Sequence, residues 1–119
     1  MAVRLTECEK QFLCAGTVFT FTGGYPFDKE PVDFMLCQYH SGRADRCEFA
    51  LYCVSGYHSG SLEYVFPKEA KAENAQAVST QWLKENWKSK VCGGCEACDV
   101  MLTSWVWDCE EKNKSNTKE

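Results

Sequence analysis

The chain has 119 residues, 45% of them hydrophobic and 25% charged, which suits one globular domain with a real core and excludes wholesale disorder. Its formal net charge of −4 and pI near 5.2 weigh against general binding to nucleic acid or an anionic membrane, both of which need surplus Lys and Arg. No apolar run approaches the roughly 20 residues of a membrane span.

Residues 1–11 are polar and predict irregular chain or a short edge element. Glu7, Glu9 and Lys10 interrupt the apolar stretch that a signal peptide requires, so the chain is expected to stay in the cytoplasm. From Phe12 the run FLCAGTVFTFT, rich in β-branched and aromatic residues, predicts a strand ending at Gly23-Gly24. Tyr25 to Pro31 reads as a loop of turn formers, and Val32 to Tyr39 as a second strand. The polar connection His40 to Arg46 leads to a third strand at Cys47, and Phe49 to Ser55 and Ser61 to Phe66 complete a meander. Phe49, Leu51 and Cys53 share one parity, as do Leu62, Tyr64 and Phe66, so each strand should have an apolar face. Between them Gly56 and Gly60 tolerate the positive φ of a tight connection, and Pro67 ends the hairpin because it cannot donate to a ladder.

Residues 67–77 (PKEAKAENAQA) favour a short helix by propensity and, lacking a large apolar residue, should lie on solvent. The main helix is predicted from two i,i+4 pairs, Val78 with Trp82 and Leu83 with Trp87, which fall on one face. Ser79 suits its N-cap, and Lys84, Lys88 and Lys90 suit its C-terminal half. A helix this short is marginal alone in water, so the tryptophans should dock on the sheet. Cys92 to Cys98 forms a hinge rich in glycine and cysteine. Asp99 to Trp107 predicts a last strand, with Met101, Thr103, Trp105 and Trp107 on one parity. The expected organisation is one α+β domain over residues 1–108, with a disordered polar tail over 109–119. Its antiparallel sheet of about five strands should carry one main amphipathic helix on one face.

Nine cysteines are an odd number, and Cys14, Cys37 and Cys53 fall inside apolar strand patterns, where a reduced thiol packs as a small hydrophobe. Cys92, Cys95, Cys98 and Cys109 could supply four thiolates to zinc or an iron–sulfur cluster; the alternative is a cysteine-rich loop in a reducing compartment. His40 and His58, the only histidines, fall in predicted connections. A pair of Cys53 with His58 would need spatial contact and an orienting third group before it could act as a nucleophile. An exposed tryptophan beside Tyr25, Phe27 and Tyr57 would form a protein-binding patch. The acids Asp28, Glu30, Asp33, Asp45, Glu48 and Glu63 lie on early loops and outward strand parity, as solvated surface or as a face complementary to a basic protein.

The segment GYHSGSLEYVFPKEA, then VSTQWLKENWKSKV and CDVML, resembles a family of bacterial immunity proteins encoded beside polymorphic or contact-dependent growth-inhibition toxins. The similar features are the Gly56 to Gly60 turn, the strand ending at Pro67 and Glu69, and the helix residues Ser79, Trp82, Leu83, Asn86 and Trp87. Cys98, Asp99 and Val100, leading into the last strand, complete the set. The resemblance covers about the C-terminal half, and the Cys92-Gly93-Gly94-Cys95 turn is an addition to it. It implies a cytoplasmic inhibitor with no catalysis of its own, whose partner is a toxin C-terminal domain, often a nuclease. No cofactor or small-molecule substrate is expected, and the added cysteine turn leaves open a metal role, that of a small zinc-binding regulatory or adaptor module. The shared motifs are mainly scaffold and do not locate the contact surface. The expected contact residues come from the aromatic patch and the acidic set: Tyr25, Phe27, Asp28, Glu30, Asp33, Asp45, Glu48, Tyr57 and Glu63.

Overall fold

The computed structural model describes residues 2–22, 31–56 and 59–103. In chain order its elements are β1 (Val3–Arg4), β2 (Phe12–Leu13), β3 (Val18–Phe21), β4 (Val32–Gln38), β5 (Arg46–Cys53), β6 (Leu62–Pro67), β7 (Val78–Ser79), α1 (Thr80–Asn86) and β8 (Met101–Thr103). Six strands form an antiparallel sheet in the order β1-β8-β3-β4-β5-β6, and β2 pairs with β7 in a small second sheet. The class is the expected α+β, with the β3 to β6 meander in place. More strands form than expected because the run from Phe12 breaks in two. Gly16 adopts a φ of 99°, and Thr17 closes a turn onto Cys14 through both its backbone N–H (3.2 Å) and its hydroxyl (2.9 Å). Phe12 and Leu13 are thereby free to pair with Ser79 and Val78.

Register aligns one face of the large sheet into rows of buried side chains. Leu102, Phe19, Phe34 and Cys53 stand side by side, and Leu36, Leu51 and Tyr64 form another row. The helical segment lies against this face. Ser79 caps it, its hydroxyl accepting from the Trp82 backbone N–H at 3.2 Å, as its sequence position predicts. Val78 is therefore not helical but the last β position before the cap, so its expected pairing with Trp82 is replaced by pairing with Leu13. Beyond Asn86 the helix widens into a π-turn, Trp87–Val91. Trp87 is fully buried, stacked on Phe19 (5.6 Å between centroids, 13° between planes) and edge-on to Phe21 (4.9 Å, 89°). Trp82 is half-buried and meets the edge of Phe66. Lys84 reaches back to donate to the Cys8 carbonyl at 2.9 Å, tying the helix to the N-terminal chain.

The segment after Pro67 departs from expectation. Only Lys68–Ala70 turns helically, as one 3-10 turn, and Lys71 then bridges to Val78. Ala70, Ala72 and Ala77 are buried, because small side chains let this stretch pack close to the body instead of lying on solvent. β6 also departs from simple alternation. Leu51 pairs with Tyr64 but Tyr52 pairs with Leu62, so Glu63 is an extra residue in a bulge. Leu62 consequently shares the outer side with Tyr52 and is 41% exposed, whereas alternation puts it with Tyr64 and Phe66. Gly56 and Gly60 do take positive φ, 76° and 93°. The expected continuation of β8 through Trp105 and Trp107, and the tail from Cys109, lie outside the described residues. Among the described residues no helix is long and apolar enough to cross a membrane.

Candidate partner-binding surface

The four described acids nominated for contact fall at opposite ends of the sheet. Asp45 and Glu48 lie at the start of β5, where basic side chains face them. Arg43 donates to both Asp45 carboxylate oxygens, at 3.1 and 3.0 Å, and Arg46 lies 4.0 Å away. Slight desolvation pushes the Asp45 carboxyl up, but the Arg43 hydrogen bonds and the charges of Arg43 and Arg46 outweigh it and hold it below the ordinary value. Glu48 sits 3.4 Å from His40 Nδ1, both side chains well exposed. Asp33 and Glu63 lie at the other end, flanking Cys53, whose thiol is pushed up by desolvation and then by their two charges. Asp33 accepts a 2.6 Å hydrogen bond from the Thr20 hydroxyl, and its backbone N–H donates to the Ser55 hydroxyl at 2.9 Å.

Glu63 differs from the rest. Sequence alternation puts it on the outward side of β6, but the bulge turns it to line a cavity with Phe21, Phe34, Leu51, Tyr64, Val91 and Cys92. The cavity holds about 80 Å³, and its lining runs from β3 to β6, an edge strand of the sheet. Glu63 is exposed and, among the described residues, makes neither an ion pair nor a hydrogen bond. No spacing rule could have found this arrangement, since a bulge leaves no mark in a period of two. Tyr25, Phe27, Asp28, Glu30 and Tyr57 lie outside the described residues.

All eight described cysteines are free thiols. Cys53 is buried as expected, but Cys14 is exposed at the turn that breaks the first strand run, and Cys37 is half-buried on the outer side of β4. Cys8, Cys47 and Cys95 are buried in addition. Cys95 sits under the helix end beside the Trp87 indole N–H, which lacks any well-formed hydrogen bond. Burial first, then the neighbouring Cys92, pushes the Cys95 thiol up to about 11, and the indole N–H offsets little of this. Desolvation likewise raises Cys37 and Cys47. A nucleophilic thiol needs the opposite shift. Among the described residues no three His, Cys, Asp or Glu side chains gather as a metal-binding group, and Cys109 lies outside them. His58, the proposed partner of Cys53, lies outside them too.

Among the described residues the arrangement is thus a sheet with a helix on one face and one acid without a partner beside an apolar recess. A family model described as immunity protein 45 matches residues 5–102. The chain belongs to that family. No curated protein and no solved structure matches it. The immunity protein 45 region begins and ends on fully buried leucines, Leu5 and Leu102, and the Leu5 N–H donates to the Val100 carbonyl at 2.8 Å. It therefore takes in the sheet's inner layer apart from β1, and the helix that covers it.

Proposed function

We propose that this immunity protein neutralises a cognate bacterial toxin domain by binding it one to one in the cytoplasm, without catalysis of its own. The observation that carries this is the family match over residues 5–102, far more than the stretch on which a sequence resemblance first rested. The toxin is most simply a nuclease. A domain that grips phosphates must be basic, and a chain of net charge −4 can occupy that field and associate quickly. Asp33 and Glu63 are the contact acids of greatest weight, because Arg43, Arg46 and His40 already answer Asp45 and Glu48. Tyr25, Phe27 and Tyr57 are the aromatic anchors of this proposal, and Asp28 and Glu30 complete its contact acids.

The test uses the C-terminal domain of the product of the adjacent upstream gene. Purified together, the two should co-elute as a one-to-one complex, and toxin activity titrated with this protein should end at equivalence. Full toxin activity at a severalfold excess of this protein sinks the proposal, as does residual turnover showing substoichiometric inactivation.

A further inference from the structure

We infer that the recess beside Glu63 is a receptor for one cationic side chain, lysine or arginine, projected by the protein partner. This rests on the toxin-binding proposal and specifies its contact. Phe21, Phe34 and Leu51 line its apolar wall, and Val91 and Cys92 border it from the end of the π-turn. Such a wall suits the methylene stem of a long basic side chain, which buries its carbons while carrying its charge toward a polar rim. The aromatic rings add attraction for a cation. The one acid among its lining residues is Glu63, the extra residue of the β6 bulge, and it is exposed.

Size decides the class of occupant. A water-sized probe takes roughly 10–15 Å³, so about 80 Å³ holds a few waters or a slender side chain. Small-molecule sites run to about 300–1,000 Å³, which removes cofactors and nucleotides from consideration. Charge decides the sign. Asp45 and Glu96 each face a cation within this chain, Glu48 lies beside the His40 imidazole, and Asp33 takes the Thr20 hydroxyl; Glu63 alone among these acids is left without a partner. A carboxylate held over an apolar recess gives an arriving guanidinium or ammonium a charge-assisted hydrogen bond at the sheet edge.

The decisive experiment compares Glu63→Gln, which keeps shape and removes charge, with wild type in binding the toxin domain. Affinity should fall about 10- to 100-fold, as when one partner of a close interfacial charge pair is lost. Glu63→Lys should weaken binding further, a Lys or Arg to Glu change in the toxin should restore it, and the surface control Glu73→Gln should bind like wild type. Wild-type binding matched within about twofold by Glu63→Gln overturns the receptor but leaves toxin neutralisation standing. If wild type itself fails to bind, toxin neutralisation falls, and the recess is then judged with N-acetyl-lysine amide and N-acetyl-arginine amide. Saturable NMR shifts at Glu63, Tyr64 and Val91 that vanish in Glu63→Gln support it and tell the two cations apart. Shifts that are absent, or that persist in the variant, overturn it.

Discussion

Trp87 joins the helix to the sheet: it is fully buried, stacked on Phe19 and edge-on to Phe21, yet its Nε1–H has no well-formed acceptor. Replacing it with alanine empties the centre of the core, and Trp87→Ala should lose about 3–5 kcal/mol, read by urea unfolding. Trp87→Phe should cost clearly less. It keeps an aromatic ring and removes an N–H whose burial without a partner is itself worth about 1–3 kcal/mol. Equal losses in the two variants would show that a phenyl ring recovers none of the indole's packing on Phe19 and Phe21. Cys95, beside that indole, gives a pH signature. Its folded pKa lies above the ordinary value of 9.0, at about 11, so the folded state holds this proton more tightly than the unfolded chain. Its contribution to stability is thus intact below pH 9 and lost as pH climbs through about 11. The fall in Tm between those limits should be shallower in Cys95→Ala than in wild type. Identical slopes would mean that the thiol is hydrated rather than buried.

At the scale of elements, what could be read ahead and what could not divide along a physical line. Strands β4 and β5 announce themselves by alternation, and Ser79 by its cap position. Each is a local rule, satisfied within a few residues. Ser79→Ala should therefore cost about 1 kcal/mol and lower Tm by roughly 3–6 °C in thermal unfolding. An unchanged Tm would mean that the Thr80 N–H bond to the Gln11 carbonyl at 3.2 Å holds the helix start unaided. The illegible features are those fixed by distant partners. Val78 reads as helix on spacing alone, and only Leu13, far away in sequence, makes it a strand. The buried alanines after Pro67 look solvent-exposed because burial of a small residue depends on what lies across from it. Glu63 was legible as an acid at the surface but not as the rim of a recess, since its direction comes from the β5–β6 register.

For the whole molecule, a net charge of −4 bears on how the partner arrives more than on how tightly it stays. Part of the described charge is paired internally: Arg43 with Asp45, and Lys88 with Glu96. What reaches a distant basic domain is the net field, and at 0.1 M salt that field is screened beyond about 10 Å. Contact at Glu63 acts at shorter range, on a side chain that the bound partner itself covers. The two effects should therefore separate kinetically. In stopped-flow or surface-capture measurements with the toxin domain, the association rate constant should fall by about tenfold or more from low to 0.5 M salt. Dissociation should change far less with salt. Glu63→Gln should show the converse, raising the dissociation rate about 10-fold or more while moving association only slightly. An association rate indifferent to salt would remove charge steering, and a variant altered only in association would make Glu63 part of the long-range field instead of a seated contact.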